Sequence, residues 1–387
     1  MITRFIKRKI YPSRWNGLEH HTRPWGQSVS YFRENHIDCF PHRVRLVSVI
    51  RTAATGLLTS LMIAGCVSGN TRIMTENIHT LEDDQAPTIV INHYPASPNC
   101  PPQTEPVLFV HGATFPGELS VGYKIDNQSW ADDLNEACFD VWAPNFAGYG
   151  QSEAYTAFNR RIDTYEIPGR SHEVQQQLSR AAEFVQNQAE VEKMSIIAHS
   201  WGTIPAGEFA ATNPGLIEKL VLFGAIGRRE GLAAEVVLPP TQLITIESQH
   251  DRFVQDTPQN HSPVMDEAFL EDWGLLYLAS DLHSGQRSPP SVEVPTGPLA
   301  DIGAAWGGAF PYDPSQIQAA TLLIRGEWDR LSTDEDNAWL RSSLSSAKKV
   351  TDIKLPAGGH LMHLETGRFD LREEVKMFLL GEPETED

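Results

Sequence analysis

Ser200 stands in the five-residue stretch Ala198-His199-Ser200-Trp201-Gly202, between an apolar run and a run of small residues compatible with a helix. Small side chains two positions before and two positions after the serine suit a sharp strand-to-helix turn, because larger ones would collide where the backbone doubles back. Such a turn leaves the hydroxyl exposed for attack on a carbonyl carbon. The pattern alone is weak, since a serine also caps the start of many helices.

Two further residues would complete a nucleophilic site. Asp329 follows the apolar run 320–324, and His360 follows a predicted strand at 350–355. A serine hydroxyl is a poor nucleophile at neutral pH, so a histidine must take its proton and a carboxylate must orient that histidine. The set of Ser200, Asp329 and His360 therefore predicts acyl transfer through a covalent intermediate.

Other titratable side chains near these positions are expected to have structural roles. Glu327 would face along its strand, so it is a weaker candidate for the acid than Asp329. We expect His111 to brace its loop, and His199 to form a structural hydrogen bond on the far side of the turn. Asp256 is too far from a predicted sheet terminus to be the first choice of acid.

Strands and helices alternate along most of the chain, which predicts a mostly parallel α/β sheet covered by helices. Short apolar runs rich in β-branched residues indicate the strands, and a stripe of apolar residues at helical spacing indicates the long helix 171–189. The predicted strands are 88–94, 106–110, 138–143, 194–198, 219–224, 320–324 and 350–355, and the other helices are 129–137, 336–344 and 369–380.

The alternation breaks between residues 228 and 314. This segment contains a predicted strand at 242–247, an aromatic helix at 265–279 and a Pro/Gly/Ser-rich run. We expect an insertion that forms a cap or lid over a core made of 87–227 and 315–387, with a plain surface excursion as the alternative. Its aromatic side chains either line an apolar pocket or form a small core of their own.

The order of nucleophile, acid and histidine, each in the turn after a buried strand, resembles the α/β-hydrolase family. Two further segments support this resemblance, which covers roughly residues 88–380: His111-Gly112 after a strand, and the glycine-rich loop 145–152. Asn145 departs from the acidic residue most common at its position. The resemblance implies an α/β-hydrolase fold and a hydrolase that needs no metal or organic cofactor.

The resemblance also implies where a tetrahedral oxyanion would be bound. The donors would be the backbone N–H groups of Trp201 and Ala113, with Thr114 in place of Ala113 if the loop is longer by one residue. A serine nucleophile disfavours dehalogenase and epoxide hydrolase activities, whose family members use an aspartate at this place. His363, three residues after His360, is expected to pack or to support the site without entering it.

The N-terminal segment differs in charge from the rest of the chain. Residues 1–65 contain ten Lys and Arg against three Asp and Glu, although the whole chain has a net charge of −19. An acidic body of this kind repels phosphate backbones, so nucleic acid is not an expected partner. The basic residues precede an uncharged run, 52–64, that has the length of a secretory signal core but is too short to span a bilayer comfortably.

This run closes in Ile63-Ala64-Gly65-Cys66, which resembles a bacterial lipobox. The resemblance implies that 1–65 is a lipoprotein signal, that Cys66 carries a lipid in a membrane leaflet and that 66–86 is a tether. The protein would then be exported to the periplasm or the cell surface. The alternative is a short amphipathic or buried helix with an accidental cysteine, and the protein would be cytoplasmic if the signal is not used.

Two of the four cysteines remain for the body of the chain. Cys100 and Cys138 would form a disulfide in an oxidising compartment, or they are two unrelated thiols. No group of Cys and His residues has the spacing of a zinc site, so no metal is expected.

These observations predict a serine hydrolase that cleaves carboxylic esters through a Ser-His-Asp acyl-enzyme mechanism, with a small-molecule substrate. An amidase or aminopeptidase of the same fold is the nearest alternative, because acidic residues of the insertion could hold a substrate amine. A non-catalytic surface-binding lipoprotein on a hydrolase scaffold is a further alternative.

Overall fold

A computed structural model of the chain describes residues 77–155, 167–231, 238–265 and 267–381. The predicted signal segment 1–65, the lipidation site Cys66 and the first part of the tether lie outside these residues. Among the helices that are described, none combines the length and the hydropathy needed to cross a bilayer.

Eight strands form the central sheet, in the spatial order β1-β2-β4-β3-β5-β6-β9-β10. In this spatial order, all neighbouring strands from β4 onwards are parallel to each other, whereas β2 is antiparallel to both of its neighbours. The predicted fold class, a mostly parallel sheet covered by helices, is therefore confirmed. The strands are β1 (Asn77–Leu81), β2 (Ile89–Tyr94), β3 (Glu105–Val110), β4 (Phe139–Asn145), β5 (Met194–His199), β6 (Ile217–Phe223), β9 (Ala320–Gly326) and β10 (Val350–Leu355).

Helices cover both faces of this sheet. Successive residues of a strand point to opposite faces, so Ile196 of β5 packs on one side and Ile197 on the other, each fully buried. Because both faces of the sheet are covered, the central strands are continuous apolar runs in the sequence. The helices outside the insertion are α1 (Trp130–Glu136), α2 (Ser171–Ala189), α3 (Thr203–Thr212), α7 (Asp334–Ser343) and α8 (Arg368–Leu380).

The insertion lies between β6 and β9 in the chain and has a two-stranded antiparallel sheet of its own. Its predicted strand is shorter than expected, because the Thr245 side chain accepts a hydrogen bond from the Ser248 N–H and thereby starts a helix. The aromatic helix is present as predicted. The elements are β7 (Thr241–Thr245), α4 (Ile246–Val254), α5 (Glu267–Ala279), β8 (Ser291–Pro295) and α6 (Gly297–Trp306).

The aromatic side chains of the insertion are part of the main core. Phe253, Trp273 and Tyr277 are buried in the same apolar cluster as the sheet residues Leu108 and Val110. The Trp273 indole N–H also donates to the Leu119 carbonyl oxygen at 3.0 Å. Among the described residues, these aromatic side chains therefore belong to the core that the insertion shares with the sheet and not to a separate one.

The predicted polar tether 66–86 requires a correction. Residues Asn77–Leu81 form β1, an edge strand that pairs with β2 in antiparallel register. Three of its five side chains are exposed and none is fully buried. A short polar edge strand has no apolar run to identify it in the sequence.

The two cysteines of the body form a disulfide. Cys100 and Cys138 are joined with an S–S distance of 2.08 Å. The bond ties the segment before β3 to the turn between α1 and β4. The structure therefore supports the interpretation of these cysteines as a disulfide and not as two unrelated thiols.

Candidate active site

Ser200 occupies the sharp turn that its neighbours predict. It follows β5 directly and has a φ of 57°, a left-handed conformation that a serine adopts only under local constraint. Gly202 makes the turn possible, because a Cβ atom there would lie 2.4 Å from the His111 carbonyl oxygen. The α3 helix starts at Thr203, whose hydroxyl donates to the Ser200 carbonyl oxygen at 2.6 Å.

The structure brings the three predicted residues into one hydrogen-bonded series. His360 Nε2 lies 2.7 Å from Ser200 Oγ, and His360 Nδ1 lies 2.8 Å from Asp329 Oδ2. The three side chains come from the ends of β5, β9 and β10, which are parallel strands whose carboxyl ends meet at one edge of the sheet. Each of the three residues is at most 6% exposed, so little water reaches these hydrogen bonds.

The carboxylate is held in place and acts on the imidazole. Asp329 Oδ1 accepts hydrogen bonds from the backbone N–H groups of Leu331 and Ser332, at 2.8 and 2.9 Å. Burial opposes the charging of His360, but the Asp329 carboxylate outweighs this effect and the pKa of His360 is raised above its ordinary value. The arrangement can therefore stabilise an imidazolium that forms when Ser200 loses its proton.

The loop after β3 lies beside the serine. A Cβ atom on Gly112 would lie 3.3 Å from Ser200 Cβ. Tyr149 donates from its hydroxyl to the Ala113 carbonyl oxygen at 2.8 Å, which holds the loop from its outer side. The Ala113 and Thr114 N–H groups make no hydrogen bond to another residue that the structure describes. The loop thus presents free donors close to the serine.

His111 braces this loop as the sequence predicts. Its Nε2 accepts the Phe146 N–H at 3.2 Å, so its Nδ1 carries the proton and donates to the Gly112 carbonyl oxygen at 2.8 Å. Burial lowers the pKa of His111 to about 4. The side chain is therefore a neutral structural link between the two loops on this side of the site.

His199 and His363 make the structural contacts that we expected, and Glu327 makes its hydrogen bond away from His360. His199 bonds the His360 carbonyl oxygen through Nε2 at 2.9 Å, and its ring stacks on Phe223. His363 packs among aromatic rings and does not reach Ser200 or Asp329 by any hydrogen bond. Glu327 accepts the Ala357 N–H at 3.2 Å, at an exposed position.

Two carboxylates that the sequence did not assign to the site support the histidine loop. Asp256 Oδ2 accepts the His360 backbone N–H at 3.2 Å, and Glu365 Oε2 accepts the Gly359 N–H at 2.8 Å. Both side chains are buried. Glu365 lies five residues after His360, a spacing that could have drawn attention to it, whereas Asp256 is 104 residues away and has no local signal.

Asn145, the departure from the common pattern, makes two bonds that require an amide. Its Oδ1 accepts the Gly117 N–H at 2.9 Å, and its Nδ2 donates to Glu118 Oε2 at 2.7 Å. An ionised aspartate could accept the first bond but could not donate the second. The asparagine therefore fits the carboxylate that faces it.

The Trp201 indole connects the serine turn to the insertion. Its Nε1–H donates to Asp301 Oδ2 at 3.0 Å, and the same oxygen accepts the Ser171 N–H at 2.7 Å. Arg170 completes the set by donating to Asp301 Oδ1 at 2.8 Å. Because Asp301 belongs to α6, the insertion is fixed to the residue whose backbone N–H is a predicted oxyanion donor.

Solved structures of several hydrolases share this architecture at low sequence identity. A thioesterase domain from the curacin biosynthetic pathway has 17% identity and a TM-score of 0.52, covering 79% of this chain and 99% of its own. An epoxide hydrolase from Vigna radiata has 13% identity and a TM-score of 0.52, and the match covers 79% of this chain and 98% of that one. A structure from work on carboxylesterases of Nitrososphaera gargenis has 13% identity and a TM-score of 0.51, and the match covers 78% of this chain and 98% of that one. No curated protein matches the sequence.

The activities of these neighbours differ, so their likeness establishes the fold and not the reaction. The family is established by the sequence itself, because residues 105–366 match the family model described as the alpha/beta hydrolase fold. This range includes the loop after β3, the serine turn, the insertion and both partners of the serine. The chain belongs to the α/β-hydrolase family.

Proposed function

We propose that the protein is a serine hydrolase that cleaves carboxylic esters through an acyl-enzyme intermediate. The observation that carries the proposal is the continuous series from Ser200 Oγ to His360 and Asp329, with contacts of 2.7 and 2.8 Å. A nucleophile, a base and an orienting carboxylate within hydrogen-bond reach are the parts that acyl transfer requires.

In the first half-reaction, Ser200 Oγ attacks the ester carbonyl carbon while His360 Nε2 takes the hydroxyl proton. The imidazolium then gives this proton to the departing alkoxide, and an acyl-serine remains. In the second half-reaction, water attacks the acyl group with the same proton transfers, and Ser200 is restored with release of the carboxylic acid. Asp329 holds the imidazole tautomer and stabilises its charge throughout.

The tetrahedral oxyanion of both steps would be bound by the backbone N–H groups of Ala113 and Trp201. The first N–H is free among the described residues, and the second lies at the start of a helical segment, where N–H groups have no intrahelical acceptor. Losing one such donor costs on the order of 2.7–4 kcal/mol of transition-state stabilisation. These donors would therefore supply a large share of the rate.

The test uses labelling by a fluorophosphonate probe and turnover of a short 4-nitrophenyl ester. We expect Ser200→Ala to abolish both, while Ser342→Ala, on the exposed side of α7, changes neither. Labelling of the Ser200→Ala protein at the wild-type level would overturn the assignment. Faster turnover of an aminoacyl amide than of an ester of equal size would favour the amidase alternative, and a wild-type protein inert to all of them would favour a binding role.

We further propose that the protein is anchored to a membrane leaflet through a lipid on Cys66. The proposal rests on the basic residues, the apolar run and the Ile63–Cys66 stretch of the sequence. In cell fractionation, the wild-type protein should sediment with membranes, and Cys66→Ala should release it or leave it unprocessed. Equal distribution of the two proteins at the same apparent mass would contradict the anchor.

A further inference from the structure

Arg252 is a charged residue of the insertion for which the proposed mechanism has no use. It lies on α4 three residues after Gln249, on the same side of the helix, and Asp256 follows in the turn after the helix ends at Val254. Gln249 Nε2 donates to the Thr114 carbonyl oxygen at 3.3 Å, and Asp256 accepts the His360 N–H. This side of α4 therefore faces the gap between the oxyanion loop and the histidine loop.

The Arg252 guanidinium is partly buried, yet it forms no hydrogen bond or ion pair within the part of the chain that the structure describes. Other poorly exposed arginines of this protein are paired, as Arg325 is with Asp334 and Arg372 with Asp133. A cation withdrawn from water without a partner is costly, so such groups are rarely kept without a compensating interaction.

A second unsatisfied group lies beside it. Tyr277 of α5 is fully buried, and neither its hydroxyl nor the nearby Gln249 carbonyl oxygen has a hydrogen-bond partner of good geometry in the described structure. Burial raises the pKa of Tyr277, whereas the Gln249 side chain and the positive charge of Arg252 act in the opposite direction. The phenol is therefore a neutral O–H donor next to an unpaired cation.

The Arg252 charge also reaches the catalytic side of the site. Burial is the main cause of the lowered pKa of His199, and the positive charge of Arg252 lowers that pKa further. The Arg252 charge also lowers the pKa of His360, although the net shift of that pKa is upward. Arg252 is thus close to the imidazole that acts on Ser200, and a group bound by Arg252 would lie near the scissile bond.

We propose that Arg252 and Tyr277 form a subsite for a carboxylate group carried by the substrate. This inference rests on the proposed function and specifies its substrate class: an ester that bears a carboxylate near the carbonyl under attack. A guanidinium can donate two parallel N–H bonds to one carboxylate, and the Tyr277 hydroxyl can donate a third bond. A monoanion suits the site better than a dianion, because the Asp256, Asp329 and Glu365 carboxylates are nearby and would repel additional negative charge.

The first experiment compares kcat/KM for three esters with the intact chain. Mono-4-nitrophenyl glutarate carries the carboxylate on the acyl side, the butyrate ester of 5-hydroxy-2-nitrobenzoic acid carries it on the alcohol side, and 4-nitrophenyl valerate is neutral. We expect the wild type to prefer one of the two anionic esters to the neutral one. Arg252→Gln should lower kcat/KM for that ester by about ten- to hundredfold relative to the neutral ester, as for loss of a charged hydrogen bond. The rates are compared on the pH plateau above the acid limb, because loss of the Arg252 charge also raises the pKa of His360.

Two variants serve as controls for this comparison. Arg252→Lys keeps the charge without the planar fork and should retain part of the preference. Arg228→Gln removes an exposed arginine of the insertion that pairs with Glu230, and it should change none of the three rates. The subsite is refuted if the wild type does not prefer either anionic ester, or if Arg252→Gln slows all three esters equally.

A binding measurement keeps the subsite testable if no ester is hydrolysed. In the Ser200→Ala protein, calorimetry compares phenylacetate with the neutral phenylacetamide. Tighter binding of phenylacetate that disappears in the Ser200→Ala, Arg252→Gln double variant supports the subsite even if the proposed reaction is wrong. Equal binding of the two probes overturns the subsite, whereas loss of fluorophosphonate labelling alone bears only on the proposed function.

Discussion

The backbone N–H of His360 donates to Asp256 Oδ2 at 3.2 Å, so a carboxylate of the insertion supports the loop that carries the imidazole. Glu365 supports the neighbouring Gly359 in the same way. With Asp329, three carboxylates therefore surround one histidine. The negative charges of Asp329 and Asp256 favour the protonated imidazole, so the insertion contributes to the site directly rather than only covering it.

Replacing Asp256 with Asn should alter the pH dependence of hydrolysis more than its maximum. The amide oxygen can still accept the His360 N–H, but the negative charge that helps to raise the pKa of His360 is lost. Because His360 must be neutral to accept the serine proton, activity falls below its pKa, and a lower pKa moves the acid limb of kcat/KM to lower pH.

The pH profile of 4-nitrophenyl ester hydrolysis checks this expectation. Asp251→Asn is the matched control, since Asp251 lies only five residues before Asp256, on α4, and its side chain is 79% exposed. Asp256→Ala removes the acceptor as well and should lower kcat/KM by roughly five- to tenfold, the effect of one net hydrogen bond. An acid limb that stays in place in Asp256→Asn would contradict the electrostatic role.

Glu365 should make the protein less stable as the pH rises. Burial raises the pKa of this carboxyl from 4.5 to about 7, so between these values the folded protein binds a proton that the unfolded chain releases. Stability from this group is full below pH 4.5 and is lost as the pH rises through about 7, by roughly 3 kcal/mol in total.

Urea unfolding at pH 5 and pH 8 measures this effect. Glu365→Gln keeps an acceptor for the Gly359 N–H but does not titrate, so the difference in unfolding free energy between the two pH values should shrink. Glu271→Gln, at an exposed position of α5, should retain the wild-type difference. If Glu365→Gln also retains it, Glu365 is not the group that titrates.

Asn145→Asp should destabilise the protein although the change is nearly isosteric. It would place a carboxylate against Glu118, whose own pKa is already raised by burial. We expect a loss of about 1–3 kcal/mol at neutral pH, because a donor is lost and two like charges face each other. The loss should be smaller at low pH, where one protonated carboxyl can again donate.

Thermal unfolding at pH 5 and pH 8 shows whether the destabilisation comes from the contact with Glu118 or from the added negative charge alone. Asn127→Asp, in an exposed turn, introduces the same charge and should shift the melting temperature little. If Asn145→Asp is equally stable at both pH values, the contact with Glu118 does not explain the asparagine.

The sequence predicted those features that are encoded locally. The α2 helix and β10 have the predicted bounds, because an apolar stripe and a run of β-branched residues mark them. Ser200, Asp329 and His360 each follow a buried strand, so linear order alone indicated that they would meet at one edge of a parallel sheet. Their contacts depend only on the topology of that sheet.

Features that depend on distant contacts were not predicted. Asp256 meets His360, and Trp201 meets Asp301, only after the insertion has packed against the sheet, and nothing near these residues in the sequence marks the contact. The β1 strand was missed because three of its five side chains are polar and its order comes from pairing with β2. The predicted end of β7, at residue 247, was wrong because Thr245 caps the α4 helix. The composition around Thr245 is typical of a strand and does not indicate this cap.

The disulfide between Cys100 and Cys138 should be a main contributor to stability outside the core. It closes a segment with a sequence separation of 38 residues, and the chain-entropy estimate for such a loop is about 4 kcal/mol. The double variant Cys100→Ser, Cys138→Ser should therefore unfold at a clearly lower urea concentration than the oxidised protein. Its ester hydrolysis at low temperature should be retained, because the bond lies away from Ser200. A reducing agent should destabilise the wild type to a similar extent and leave the double variant unchanged; sensitivity of the double variant to the reductant would place the effect elsewhere.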